Sequence, residues 1–283
     1  MSASNSKLRR PLPSGRTYEQ ILHHYRVEKE IADRLKAANR AGRSRIYAGM
    51  YEELFARVPD HPRLLGVRDP ASLAAHNRKK YALIERFVDP ETDFIEFAPG
   101  DCTFAYLVCC PARTVIGVDI SDQSAKAQVI PDNFRLRVYD GFYLDLPDGC
   151  ADIVFSDQFI EHLHPDDADL HFQLVHRLLK PGGSYIFRTP HAFHGPFDIS
   201  AYFADAAEVF HLKEWTYAEL RSRLREAGFT NWRGGLKTRR RYHELPVGLF
   251  AGYEKIIGRL PHRPRRAAAR ALLPRHIYMR AMK

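Results

Sequence analysis

At 283 residues and 45% hydrophobic content, the chain is long enough for one sizeable α/β core with an appendage. Its first residues are polar and basic, and no stretch approaches the roughly 18 continuous apolar residues of a membrane span, so the reading expects no secretory leader, no membrane span and a cytoplasmic location. The net charge of +9 is local: residues 233–283 hold 14 Lys and Arg against Glu244 and Glu254, a net +12, which leaves −3 on the preceding 232 residues.

In chain order, residues 1–16 read as disordered. Residues 17–39 read as an amphipathic helix with Tyr18, Ile21, Leu22, Tyr25, Ile31 and Leu35 on one stripe and a Thr17-x-x-Gln20 capping box at its start. A second helix is predicted over 44–57, and the sequence Pro59-Asp60-His61-Pro62 breaks it. A third, opened by Asp69-Pro70, carries Leu73, Tyr81, Ile84 and Phe87 toward the first strand. Residues 17–90 are thus a helical extension.

Short apolar strands are predicted at 94–97, 114–118, 134–138, 152–156 and 184–189, with helical segments between several of them. Such alternation argues a doubly wound, mostly parallel sheet. Lys180-Pro181-Gly182-Gly183 turns the chain into the fifth strand, and Thr216-x-x-Glu219 caps a later helix that ends at Gly228. The alternation of Ile277, Met279 and Ala281 against Tyr278, Arg280 and Met282 is a strand pattern. The basic stretch at about 241–274 then becomes a helical insertion before that last strand. Cys102, Cys109, Cys110 and Cys150 lack paired C-x-x-C spacing, so neither structural zinc nor a disulfide framework is expected.

The chemistry concentrates at strand ends. The first strand runs Phe94-Ile95-Glu96-Phe97 into Ala98-Pro99-Gly100-Asp101-Cys102, and about twenty residues later the second strand ends at Asp119. A glycine turn lets a backbone approach a nucleoside, and an acid at that distance can accept both ribose hydroxyls. Asp140-Gly141-Phe142 closes the third strand, and the fourth runs into Ser156-Asp157-Gln158-Phe159-Ile160-Glu161-His162-Leu163-His164-Pro165.

This ordered series resembles the class I S-adenosylmethionine-dependent methyltransferases of the small-molecule type, over about residues 94–190. The resemblance implies S-adenosyl-L-methionine as cofactor, a seven-stranded Rossmann-like sheet, and a methyltransferase domain over 91–283 with the N-terminal helices covering the active site. Glu96 and Gly100 would line the methionine and ribose side, Asp119 the ribose, Ile120 and Phe142 the adenine, and Asp140 or its neighbour Gly141 the adenine amino group. Asp157 and Gln158 would face the methionine end. The family's three glycines are Ala98, Gly100 and Cys102 in this chain, so two of them carry small side chains.

Methyl transfer from a sulfonium needs alignment and, for a hydroxyl acceptor, a base. Histidine suits proton removal near neutrality, and the candidates are His162 and His164 after the fourth strand, His191 and His194 after the fifth, and His211 further on. Glu161, His162, His164, Asp166 and Asp167 also cluster as cation ligands would, but helix capping explains the two aspartates and no metal is expected. The expected reaction is O-methylation of a sugar, glycan or secondary metabolite; an anionic acceptor would use the basic insertion. The alternatives are a C-methyltransferase acting on a prenyl diphosphate and an RNA methyltransferase. Ser156-Asp157-Gln158-Phe159 stands where base-amino methyltransferases carry Asn/Asp-Pro-Pro-Tyr/Phe, which argues against nucleic acid.

Overall fold

A computed structural model describes residues 8–65, 70–122, 129–237 and 242–283. Strands β1 (Asp93–Phe97), β2 (Thr114–Asp119), β3 (Phe134–Val138), β4 (Ala151–Asp157) and β5 (Leu179–Pro190) are parallel, and β6 (Asn231–Lys237), β7 (Tyr242–Pro246) and β8 (His276–Met282) complete the sheet antiparallel. The helices are α1 (Tyr18–Ala37), α2 (Arg40–Arg57), α3 (Pro62–Leu65), α4 (Pro70–Tyr81), α5 (Thr103–Val108), α6 (Pro165–Leu178), α7 (Tyr217–Glu226), α8 (Val247–Ile257) and α9 (His262–Leu272).

The sheet order is β3-β2-β1-β4-β5-β8-β6-β7. Phe94, Ile95, Glu96 and Phe97 of β1 are all buried, as a parallel strand covered on both faces requires. Strand order reverses between β1 and β4, which opens a crevice at their carboxyl ends. This is the expected Rossmann-like doubly wound fold with N-terminal helices, and the described residues form eight strands where seven were expected. The addition is β7, which pairs only with β6 at the sheet edge. Its sequence, Tyr-His-Glu-Leu-Pro, is too short and polar to announce a strand, and a terminal proline is tolerated at an edge. The expected helix opening at Asp69 and the expected start of the insertion at 241 lie outside the described residues.

Two further differences concern the amino-terminal part. Residues 8–16 lie against the fold: the Arg9 N–H donates to Tyr202 O (3.1 Å), Arg10 Nη2 to Pro196 O (3.0 Å) and Arg16 Nε to Asp60 (2.9 Å). Helix α2 starts at Arg40 because Asn39 accepts from the Gly42 N–H (2.9 Å) as N-cap, a signal that Gly42 obscures in the sequence. Val27, Ile31 and Leu35 of α1 and Tyr47, Met50 and Leu54 of α2 form one apolar cluster with Phe210, against which Ile120 and Phe142 pack. A buried bidentate pair, Arg43 to Asp167 (2.6 and 2.5 Å), ties α2 to α6. The helices are thereby held over the ends of β2 and β3.

Helices α7 and α8 are joined by one buried carboxylate. Glu254 accepts from the Tyr217 and Ala218 N–H groups at the start of α7 (2.6 and 2.8 Å) and from His191 Nε2–H (2.9 Å). Glu254→Ala leaves the buried His191 and Tyr217 donors without a partner, and we expect a loss of about 3 kcal/mol of stability. The check is a lower urea midpoint at unchanged slope; a midpoint equal to wild type contradicts this role.

Candidate active site

The turn after β1 is strained at each position where the related pattern has glycine. Ala98, Gly100 and Cys102 have φ of 54°, 57° and 60°. A left-handed conformation costs a non-glycine residue roughly 1–2 kcal/mol, so the backbone here is held by its surroundings. The other described non-glycine residue with positive φ is Gln158 (56°), just past β4. All three non-glycine cases border the crevice. Cys102 is buried, and burial pushes its thiol up to about 12, which makes it a packing group.

Asp119 secures this turn: one carboxylate oxygen accepts from the Gly100 N–H (3.2 Å) and the other from the Ile120 N–H (2.7 Å). Burial raises its pKa, against these backbone donors. Glu96 is 1% exposed. Its Oε1 accepts from Lys80 Nζ (2.9 Å), whereas its Oε2 is buried with no partner. Burial, opposed by Lys80, holds the Glu96 pKa above its usual range. Gln158 Nε2 is a buried donor, also without a partner. The turn therefore has an orphaned acceptor and an orphaned donor at its two sides, the condition of a site built for a polar ligand.

Asp157 is clamped by Arg188 in a bidentate pair (2.6 and 2.8 Å). Asp140 folds back on its own turn, accepting from the Phe142 and Tyr143 N–H groups (2.8 and 2.6 Å) through Oδ1. Gly141 has φ of 92°, and Phe142 lies under Tyr47 and Arg40 from the helical extension.

Residues 160–162 after β4 meet the segment 210–215, which precedes α7. The Lys213 N–H donates to Glu161 O (3.2 Å), Trp215 Nε1–H to Ile160 O (3.3 Å) and His162 Nδ1–H to Phe210 O (2.9 Å). These bonds set the His162 and His211 rings edge to face at 5.0 Å. His211 donates its Nδ1–H to Glu214 Oε1 (3.0 Å) and its backbone N–H to Asp198 (3.3 Å). Burial alone would lower the His211 pKa, but the Glu214 hydrogen bond and the carboxylates of Glu161 and Asp198 outweigh it and raise it. Glu161 is fully buried; its Oε2 accepts from Thr189 Oγ1–H (2.9 Å) and its Oε1 has no partner. Burial pushes its pKa up to about 7. His162 is held neutral by burial and by His211, its pKa pushed down to about 3. Both imidazoles thus commit Nδ1–H to an acceptor and keep Nε2 for a ligand.

The remaining histidines separate from this cluster. His191 has no nitrogen to spare, since Nε2–H donates to Glu254 and Nδ1 accepts from the Phe193 N–H (3.1 Å), and it is fully buried. His164 caps α6 by accepting from the Asp166 N–H (3.2 Å). His194 is buried, with Nε2 unpartnered and its pKa pushed down by burial to about 4. Neither His191 nor His164 is placed to act as a base. Glu214, Asp198 and Lys80 lacked any signal in the sequence, because each acts through a partner that only the fold brings near.

Glu161, His162 and His211 offer ligand atoms within 4.8 Å of one another, close enough for a divalent cation, as do His24, Glu28 and His61. At the second cluster the tautomer opposes ligation: Arg16 donates to His24 Nδ1 (3.0 Å), so His24 Nε2 carries the proton that it donates to Glu28 (2.7 Å).

Residues 95–187, from β1 into β5, match a family model described as a methyltransferase domain. A search of curated protein sequences finds no match. Among solved structures, Burkholderia thailandensis 1,6-didemethyltoxoflavin-N1-methyltransferase, with 1,6-didemethyltoxoflavin and S-adenosylhomocysteine bound, aligns at a TM-score of 0.50 and 20% identity, covering 76% of this chain and 81% of its own. Haemonchus contortus phosphoethanolamine N-methyltransferase 1, in complex with phosphoethanolamine and S-adenosylhomocysteine, aligns at 0.51 and 12% identity over 84% of this chain and 49% of its own. At these identities the likeness is one of fold.

A Cβ on Gly195 would lie 1.7 Å from Glu214 Oε2, so an alanine there must displace the carboxylate that holds His211. Gly195→Ala is expected to lower the His211 pKa, because the imidazolium loses its main partner. Histidine NMR titration checks this; an unchanged His211 titration would show that Glu214 does not set it.

Proposed function

We propose that this chain is a class I S-adenosylmethionine-dependent methyltransferase that moves the donor's methyl group to a hydroxyl of a small cytoplasmic acceptor, a sugar or a secondary metabolite; the match of residues 95–187 to a methyltransferase domain supports this reading. The observation that carries the hydroxyl assignment is His211: an imidazole oriented by a carboxylate at Nδ1, with Nε2 free and its pKa raised toward working pH. In this reading residues 17–90 cover the site and 91–283 carry it.

The residues at the turn fit the donor. Asp119 keeps lone pairs for the ribose hydroxyls, and Glu96 Oε2 and Gln158 Nε2 are the acceptor and donor that a methionyl ammonium and carboxylate call for. Ala98 and Gly100 let the backbone approach closely. Ile120, Gly141 and Phe142 would flank the adenine, with Asp140 toward its amino group, and Asp157 with its Arg188 partner would close the methionine end. When bound, S-adenosylmethionine supplies a methyl group already activated by its sulfonium.

His162, kept neutral, packs its ring edge to face against His211 and holds that imidazole in position. His211 Nε2 takes the proton of the acceptor hydroxyl, which would free that oxygen to receive the methyl group the donor supplies. Glu214 stabilises the imidazolium that results, and the charge of Glu161 couples to it, so the two titrate together. An imidazole can act only when unprotonated. Activity should therefore rise with pH through an apparent pKa above the ordinary histidine value of about 6.5, and Glu214→Gln should move this limb to lower pH.

His211→Ala is expected to lower kcat about 10²- to 10⁴-fold with donor affinity unchanged by calorimetry. Asp119→Ala should instead weaken donor binding roughly tenfold or more. Donor binding that survives Asp119→Ala unchanged contradicts the cofactor assignment, and full activity in His211→Ala contradicts the base. Activity lost on chelation and restored by one divalent ion would give Glu161, His162 and His211 to a metal.

A further inference from the structure

We propose that α8 and α9 form a docking surface for an anionic lipid bilayer. Helix α8 carries two apolar stripes, one buried and one exposed. Val247, Phe250 and Ile257 are buried against the fold, while Leu249 (52% exposed), Tyr253 (46%) and Ile256 (67%) point outward, followed by Leu260 (39%) just past the helix end. The spacing of four and three residues places Leu249, Tyr253 and Ile256 on one helical stripe, and Leu260 adds a further exposed apolar side chain beyond its end. Among the described residues nothing covers it, and an apolar stripe of this kind marks an interaction surface.

The charges around the stripe select the partner. Residues 247–275 contain seven Lys and Arg and a single acid, Glu254. That acid is buried and fully used by α7 and His191. Two of the arginines are also spoken for, Arg265 over the Phe193 ring (5.1 Å) and Arg275 over Phe197 (5.0 Å). Lys255, Arg259, Arg263 and Arg270 are exposed, and among the described residues they have no carboxylate partner. Two consecutive helices thus present apolar side chains and unpaired cations together.

This combination fits a bilayer interface, where Leu249, Tyr253, Ile256 and Leu260 enter the acyl boundary and the cations meet lipid phosphates. A second copy of the chain fits poorly, because a twofold contact would bring the same cations face to face. A nucleic acid would pair with the cations but leave the apolar stripe in water. No helix among the described residues is long and apolar enough to cross a membrane, so the contact is peripheral. The proposal does not depend on methyl transfer: it concerns a surface whose residues have no part in the site.

Co-sedimentation of the full chain with vesicles tests it. Binding is expected to phosphatidylglycerol-containing vesicles, to weaken as salt rises, and to be absent on pure phosphatidylcholine. Ile256→Glu, and separately Arg263→Glu with Arg270→Glu, should each reduce binding by about tenfold or more; both change exposed side chains, and unchanged circular dichroism and donor affinity verify the fold. A Tyr253→Trp variant should shift its emission to the blue on anionic vesicles. No binding at low salt, or equal binding by the variants, overturns the proposal. Self-association abolished by Ile256→Glu without vesicle binding would give the face to a second copy, and RNA binding insensitive to Ile256→Glu would give it to a nucleic acid; either overturns it too.

Discussion

Glu214 joins three parts of the connection between β5 and α7. Its Oε1 accepts from the Phe197 N–H (2.8 Å) and from His211 Nδ1–H, and its other oxygen lies against Gly195, where a side chain would collide with it. Residues 195–214 are a long stretch with little regular structure, and a loop of that length is ordinarily mobile. Here a single 9%-exposed carboxylate pins its start to its end, and Asp198 adds a second tie at the His211 backbone. His211 is consequently presented to Glu161 and His162 from a fixed position, and its raised pKa follows from the same carboxylate that holds it.

The other side of the site is organised by strain. Ala98, Cys102 and Gln158 adopt backbone conformations that side chains disfavour, and they cluster at the ends of the two strands where sheet order reverses. Burial of β1 and β4 and the Asp119 bond to Gly100 hold the turn in place. Strain retained by its surroundings is characteristic of functional turns. The orphaned Glu96 and Gln158 atoms at the same turn show where a polar ligand would complete the protein's hydrogen bonding.

The periodic parts of this architecture were readable from the sequence. Parallel strands announce themselves by apolar runs between glycine and proline punctuation, and both capping boxes, at Thr17 and Thr216, are present with their reciprocal bonds. Local rules could not find β7, whose pairing is imposed by β6, nor the start of α2, where Asn39 caps a helix containing Gly42. The histidines illustrate the limit most clearly. Four of the five follow strand ends and His211 lies on the long connection after β5, yet His191 is taken by Glu254, 63 residues away, and His164 by the helix that follows it. What distinguishes His211 is the three carboxylates of Glu214, Asp198 and Glu161 and a neighbouring imidazole, brought together by loops whose sequence carries no periodicity.

The crevice between β1 and β4 and the histidine cluster lie at the same carboxyl end of the sheet, and the proposed function stands on their facing a common reacting centre. A crystal structure with S-adenosylhomocysteine bound tests this most directly. The account predicts Asp119 on the ribose hydroxyls, the amino group at Glu96 Oε2, and the sulfur facing His162 and His211 across a gap that an acceptor hydroxyl can fill. A sulfur turned away from these histidines, with other side chains closing around it, would contradict it.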